Sequence, residues 1–261
     1  MFVLLRMNII VISMLVMLSA GLPALGRAQS VPPVAVFVNG YEDCCAWYMN
    51  DLTRALSENG VAIMKVPWDS FRNGAGQMSR TSNDGRFLQE GAAFINQRLH
   101  PQSQLILIGH SYGGDSVLKL LPHLQRRVRF VAVIDPVAAG GLRTPIRLRE
   151  VPANVDYFFN RWQQNRVAEK NIVPFDSAVS GDIQNCRARS CDQDAQNISR
   201  AADGSPFRDS CGWEEVSCPG YSLFPPRRGT KQRRIMHNTM PVDAYIQRQI
   251  IDKVLALLGR R

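Results

Sequence analysis

The sequence predicts an α/β fold: a mainly parallel sheet with helices on both faces and one irregular, disulfide-stapled insert. Three observations carry this. Short runs such as Val34-Ala35-Val36-Phe37-Val38 and Leu105-Ile106-Leu107-Ile108 contain no polar residue, as strands buried on both faces do. Amphipathic stretches of helical spacing separate them, and alternation of the two element types implies parallel strands joined by crossover helices. Glycine, asparagine or proline closes nearly every run. With 261 residues, 45% apolar and 20% charged, the chain has the length and composition of an ordinary globular protein.

Residues 1–28 stand apart. Arg6 precedes the run Ile9 to Ala20, apolar except for Ser13 and Ser19, and Gly26-Arg27-Ala28 follows with small-x-small spacing. The pattern predicts a cleavable secretory signal peptide, cut after Ala28 or at Ala20, and a secreted or periplasmic product. The run is short for a membrane span, and no later segment is long enough. Residues 29–261 then form one domain.

Within it, Val34–Val38 is the first strand, ending at Asn39-Gly40-Tyr41. Residues 47–59 read as a helix stopped by Gly60, and 61–66 as a strand ending at Pro67-Trp68. Residues 70–84, rich in Gly, Ser and Asn, read as a loop. Residues 85–99 form an amphipathic helix with Phe87, Leu88, Ala92, Ile95 and Leu99 on one face. After the strand at 105–108 comes a helix that Pro122 ends, then a strand at 128–134 closing on Asp135-Pro136. A fifth strand, 155–159, ends at Asn160. The last helix, 240–258, buries Val242, Tyr245, Ile246, Ile250, Val254 and Leu257, with Pro241 in its first turn.

Residues 161–235 break the alternation. They are polar, without repeat or evident strand or helix, and read as an irregular insert that is either a lid or surface elaboration. Four of the six cysteines lie there: Cys186, Cys191, Cys211 and Cys218; the others are Cys44 and Cys45. An even count suits an oxidising compartment. Cys186/Cys191 and Cys211/Cys218 are spaced to close short loops, while Cys44 and Cys45 suit different partners; a zinc site competes, but lacks paired C-x2-C spacing. Asn197-Ile198-Ser199 is a glycosylation sequon. The formal charge is +9, and a basic run spans residues 227–234. No nucleic-acid motif accompanies it, so a solvated face or peripheral contact with an anionic membrane surface is expected.

Gly109-His110-Ser111-Tyr112-Gly113 lies between a buried strand and a helix. Gly-x-Ser-x-Gly in that setting is a nucleophile elbow: a sharp turn that presents a serine hydroxyl at the carboxyl edge of the sheet. Serine needs a base within hydrogen-bond reach and a third group to orient that base. Of four histidines, His100 and His123 belong to far ends of elements, and His110 points away from its neighbour Ser111. His237, just before the last helix, is the expected base. Asp135, ending the strand after the elbow unit, is the expected acid, with Asp176 and Asp156 in reserve; Asn160 carries no charge. Backbone amides of Tyr41 and Tyr112 are the expected donors to an oxyanion, with Gly40 allowing close approach. No cofactor and no metal are called for.

The elbow resembles the Gly-His-Ser-x-Gly of serine esterases and lipases of the α/β-hydrolase superfamily. Val133-Ile134-Asp135-Pro136 is similar to the Asp-Pro strand ending that carries the acid in pancreatic-type lipases. Asn39-Gly40-Tyr41 stands where those lipases have His-Gly-aromatic; the asparagine departs from the pattern, but the donor is a backbone amide. The resemblance covers residues 34–135 and rejoins at His237. It implies a hydrolase of small-molecule or lipid esters acting through a serine-bound acyl intermediate. A thioesterase, an acyltransferase and a non-catalytic secreted lipid-binding protein remain as alternatives.

Overall fold

The computed structural model describes residues 31–40, 49–71, 84–138, 146–163, 181–196, 237 and 240–260. The signal peptide, Tyr41, Asp176, the sequon, the basic run and the cysteines other than Cys186 and Cys191 lie outside them. The chain divides into Met1–Val31 and Pro32–Arg261; everything below concerns the second unit.

Six strands form one parallel sheet: β1 (Val34–Val38), β2 (Ala62–Val66), β3 (Leu105–His110), β4 (Val128–Ile134), β6 (Tyr157–Gln163) and β8 (Ser190–Gln196). Their order across the sheet is β2-β1-β3-β4-β6-β8. A separate parallel pair joins β5 (Glu150–Val151) to β7 (Asn185–Cys186). Because the six strands are parallel, their carboxyl ends share one edge, where the turns after β1, β3 and β4 meet.

The aliphatic runs sit where two-sided burial demands them. Val36, Val38, Leu107 and Val131 face one core layer, with Phe87 of α2 (Gly85–Ala93) and Val117, Leu118 and Leu120 of α3 (Tyr112–Leu120). Ala35, Phe37, Ile106, Ile108 and Ala132 face the other, with Leu52 and Leu56 of α1 (Asn50–Glu58) and Ile246, Ile250 and Val254 of α4 (Ala244–Leu257). Each large side chain so buried contributes on the order of 1.5–3 kcal/mol. Gln247 of α4 accepts a hydrogen bond from the Leu52 amide at 3.0 Å, tying the two helices of that face together.

Four boundaries differ from the sequence reading. The 85–99 helix ends its α-helical course at Ala93 and closes in a wider π-helical turn, Phe94–Arg98. The last helix starts later: Met240–Val242 is a 3-10 turn holding Pro241, and Asp243 caps α4 by accepting from the Ile246 amide at 2.9 Å. The fifth strand does not stop at Asn160, which lies inside β6 opposite Val133 and Gln193.

Fourth, the 161–235 region is not wholly irregular, because β8 joins the main sheet as its edge strand. Its sequence, Ser-Cys-Asp-Gln-Asp-Ala-Gln, has no apolar run because an edge strand need not be buried on both faces. Polar contacts secure it instead: the Tyr157 hydroxyl donates to Asp192 at 2.7 Å, and Arg161 pairs with Asp192 at 2.8 Å. Burial first, then that hydrogen bond, pushes the Tyr157 phenol up to about 12. The Cys186–Cys191 disulfide closes the turn leading into β8.

Candidate active site

The elbow is built by close backbone packing. A Cβ at Gly113 would lie 2.2 Å from the Val38 carbonyl oxygen and 2.5 Å from that of Asn39, and one at Gly109 would lie 2.5 Å from the Gly113 oxygen. Only glycine lets α3 start so near β1 and β3. Ser111, between them, takes φ +56° and ψ −127°, a conformation that strains a non-glycine residue. Its backbone is held from several directions. The Ser111 amide donates to the Ile134 oxygen at 3.1 Å, and its carbonyl accepts from the amides of Asp115 at 3.2 Å and Val137 at 3.1 Å.

Asp135 is the second strained residue, with φ +40°. Its amide donates to the Arg161 oxygen at 2.6 Å, so β6 fixes the turn that leaves β4. Ser111 and Asp135 thus directly follow the adjacent strands β3 and β4 at the carboxyl edge, 4% and 1% exposed. His237 lies between them. With its proton on Nδ1, the ring donates to Asp135 Oδ2 at 2.7 Å, and Nε2 accepts from Ser111 Oγ at 2.9 Å. Residues separated by 126 and 102 positions from His237 therefore meet in one hydrogen-bonded line.

The line can do acyl-transfer chemistry. Attack by Oγ on a carbonyl carbon releases a proton that Nε2 is placed to take, and the buried carboxylate stabilises the resulting imidazolium. Tyr112, the first residue of α3, has its backbone amide at the helix N-terminus, where developing negative charge is favoured. Its ring packs on Trp68 with centroids 5.0 Å apart.

The other candidates fall elsewhere. Tyr41 and Asp176 lie outside the described residues. Asp156 is at the start of β6, on the opposite edge, bound to Arg127 and by Arg129 at 2.8 Å. Burial pushes its carboxyl up, but these two guanidiniums outweigh that and hold it below the usual range. Asn160 donates to the Gly181 oxygen at 2.9 Å and to Gln193 Oε1 at 3.1 Å, deep in the sheet. His100 and His123 are exposed. Among the described residues, no group of His, Cys, Asp and Glu could hold a metal ion, and no helix is long and apolar enough to cross a membrane.

His110 contacts His237, a contact that the sequence does not predict. Its Nε2 lies 2.9 Å from the His237 carbonyl oxygen, and the two rings are 4.6 Å apart. The signal was present in the period-two alternation of β3: His110 continues the face of Ile106 and Ile108, which packs toward α4 and the segment before it.

The sequence matches the family described as serine aminopeptidase, S33 (Hydrolase_4) over residues 29–196, well over half of the chain. No curated protein matches it. Among solved structures, a metagenomic carboxyl esterase is similar at 14% identity and a TM-score of 0.45, over 91% of this chain and 80% of that one. A putative α/β-superfamily hydrolase from Xanthomonas campestris pv. campestris is 16% identical with a TM-score of 0.37, over 62% and 87%. An extracellular α/β-hydrolase from a Paenibacillus species is 17% identical with a TM-score of 0.30, over 42% and 43%, so this chain spans less than half the length of that protein.

Proposed function

The chain belongs to the serine aminopeptidase S33 family of the α/β-hydrolase superfamily, and we propose that it is an exported hydrolase of carboxylic esters of acyl or lipid type. Ser111 is the nucleophile, His237 the general base and acid, and Asp135 the carboxylate that orients and stabilises His237. The backbone amides of Tyr112 and Tyr41 receive the oxyanion. The observation that carries the reading is the line from Asp135 Oδ2 through His237 to Ser111 Oγ, at 2.7 and 2.9 Å, on a strained serine.

In this reading Oγ attacks the ester carbonyl while His237 takes its proton, and the tetrahedral oxyanion forms against the two amides. Collapse expels the alcohol, which leaves with the proton from His237, and an acyl group remains on Ser111. Water, activated by the same imidazole, releases the acid and restores the hydroxyl. Export rests on residues 1–28, and a cysteine pair bonded in a disulfide suits an oxidising compartment.

The family description favours a second reading, cleavage of an aminoacyl amide by the same acyl-enzyme chemistry. Turnover of p-nitrophenyl esters of graded chain length, beside aminoacyl p-nitroanilides, separates the two. Esters are expected to turn over and anilides not; faster anilide cleavage would replace the ester reading. Asp135→Asn is expected to lower kcat by about 10⁴-fold, and unchanged turnover would remove Asp135 from the acid role.

A further inference from the structure

His237 follows no strand or helix among the described residues, and α4 begins seven positions later. Yet a general base must hold its ring to within a fraction of an ångström of the nucleophile's proton, since misplacement by 1 Å costs about a hundredfold in rate. Asp135 and Ser111 fix the two ring nitrogens. Neither fixes the backbone that carries the ring.

His110 does. It is 0% exposed, at the carboxyl end of the central strand β3. Its Nε2 is 2.9 Å from the His237 carbonyl oxygen, which can only accept, so Nε2 carries the proton and donates. The rings lie 4.6 Å apart at 35°, one behind the other. Burial, then the neighbouring His237 charge, holds the His110 imidazole well below its ordinary range, against the opposing pull of the hydrogen bond to that carbonyl. A neutral ring behind the base leaves room for the imidazolium that forms on His237; a charged one would oppose it.

With the proton on Nε2, Nδ1 of His110 is an acceptor, and it is buried without a partner among the described residues. Val38 pairs with Gly109, so Asn39 and His110, one residue further on each strand, end neighbouring strands on the same face. Asn39 is 1% exposed, and both polar atoms of its side chain are likewise without a partner among the described residues. No hydrogen bond joins the two side chains, so the His237 carbonyl alone sets the His110 tautomer.

We infer that His110 is the positioning residue of the catalytic base: it holds His237 by backbone carbonyl and ring contact, in the tautomer that the His237 carbonyl selects. The inference rests on the proposed role of His237. His110 touches no reacting atom.

The test pairs His110→Phe, which keeps a ring but removes the donor, with His110→Gln, which keeps an N–H donor. Ester turnover is read together with the low-field proton NMR signal of the His237–Asp135 hydrogen bond. For His110→Phe, kcat is expected to fall about 10- to 100-fold with KM within twofold, and the low-field signal to broaden or vanish. His110→Gln restores most of both. A kcat for His110→Phe within twofold of wild type, with the signal intact, overturns the inference while the ester reading stands. If the wild type cleaves no ester but its low-field signal still depends on His110, the positioning role stands and the ester reading falls. Should His110→Phe fail to fold, His110→Met takes its place, and equality of His110→Met with His110→Gln in both readouts overturns the inference.

Discussion

Gly113→Ala tests whether the elbow is held by backbone packing. A Cβ there would stand 2.2 Å from the Val38 oxygen and 2.5 Å from the Asn39 oxygen, against about 3.0 Å as the closest approach that real Cβ atoms make. Relief needs a movement of about 0.8 Å, and the obstructing atoms are backbone, so no side chain can rotate away. Either β1 retreats from β3 or α3 retreats from the sheet. The first strains a strand whose neighbours are paired along its whole length. The second moves Ser111, two residues before, and the Tyr112 amide with it. Overpacking of this kind costs about 1–3 kcal/mol, and backbone contacts belong at the upper end. Urea unfolding should show a loss of about 3 kcal/mol, and turnover should fall by at least tenfold in whatever protein remains folded. Stability within 0.5 kcal/mol of wild type together with unchanged kcat would refute the packing argument.

Two further perturbations address acid sensitivity and the edge strand. Because His110 in the folded chain binds its proton only well below the ordinary histidine range, the unfolded chain takes up a proton first on acidification. Stability therefore falls as pH drops below about 6.5, by up to about 1.4 kcal/mol per unit, until the folded-state value is reached. Between pH 7 and 5 the wild type should lose stability more steeply than His110→Phe in denaturant titrations; parallel losses would contradict a buried neutral ring. Replacing Cys186 and Cys191 together by serine opens a loop with a sequence separation of 5. The chain-entropy relation gives about 2 kcal/mol for so short a loop. Hydrogen exchange should localise the effect to β8, and uniform protection across β6 and β8 would count against the disulfide as its anchor.

The strands that stack the core were readable because two-sided burial leaves little choice of residue: β1, β3 and β4 carry only aliphatic and aromatic side chains apart from Gly109, His110 and Arg129. The elbow was readable for a related reason, since a glycine on each side of Ser111 marks two places where a Cβ has no room. Asp135 and His237 came from order along the chain and from the rule that parallel strands end together. β8 was not readable, because an edge strand held by Asp192, Arg161 and a disulfide needs no hydrophobic run. Nor was the continuation of β6 past Asn160, whose buried side-chain N–H groups donate to Gly181 and Gln193 from a later part of the chain. His110 shows the limit most clearly. Its face was implied by alternation, but its partner, 127 residues away, is set by tertiary packing alone.

The central claim is that Ser111 is an activated nucleophile, and a fluorophosphonate reads that directly, without knowledge of the substrate. Intact-protein mass spectrometry should show one adduct on the wild type, mapped to Ser111, and none on Ser111→Ala. His237→Ala should label slower by orders of magnitude while remaining folded. A wild type that takes up no label, or that labels at the same rate without His237, would contradict the account.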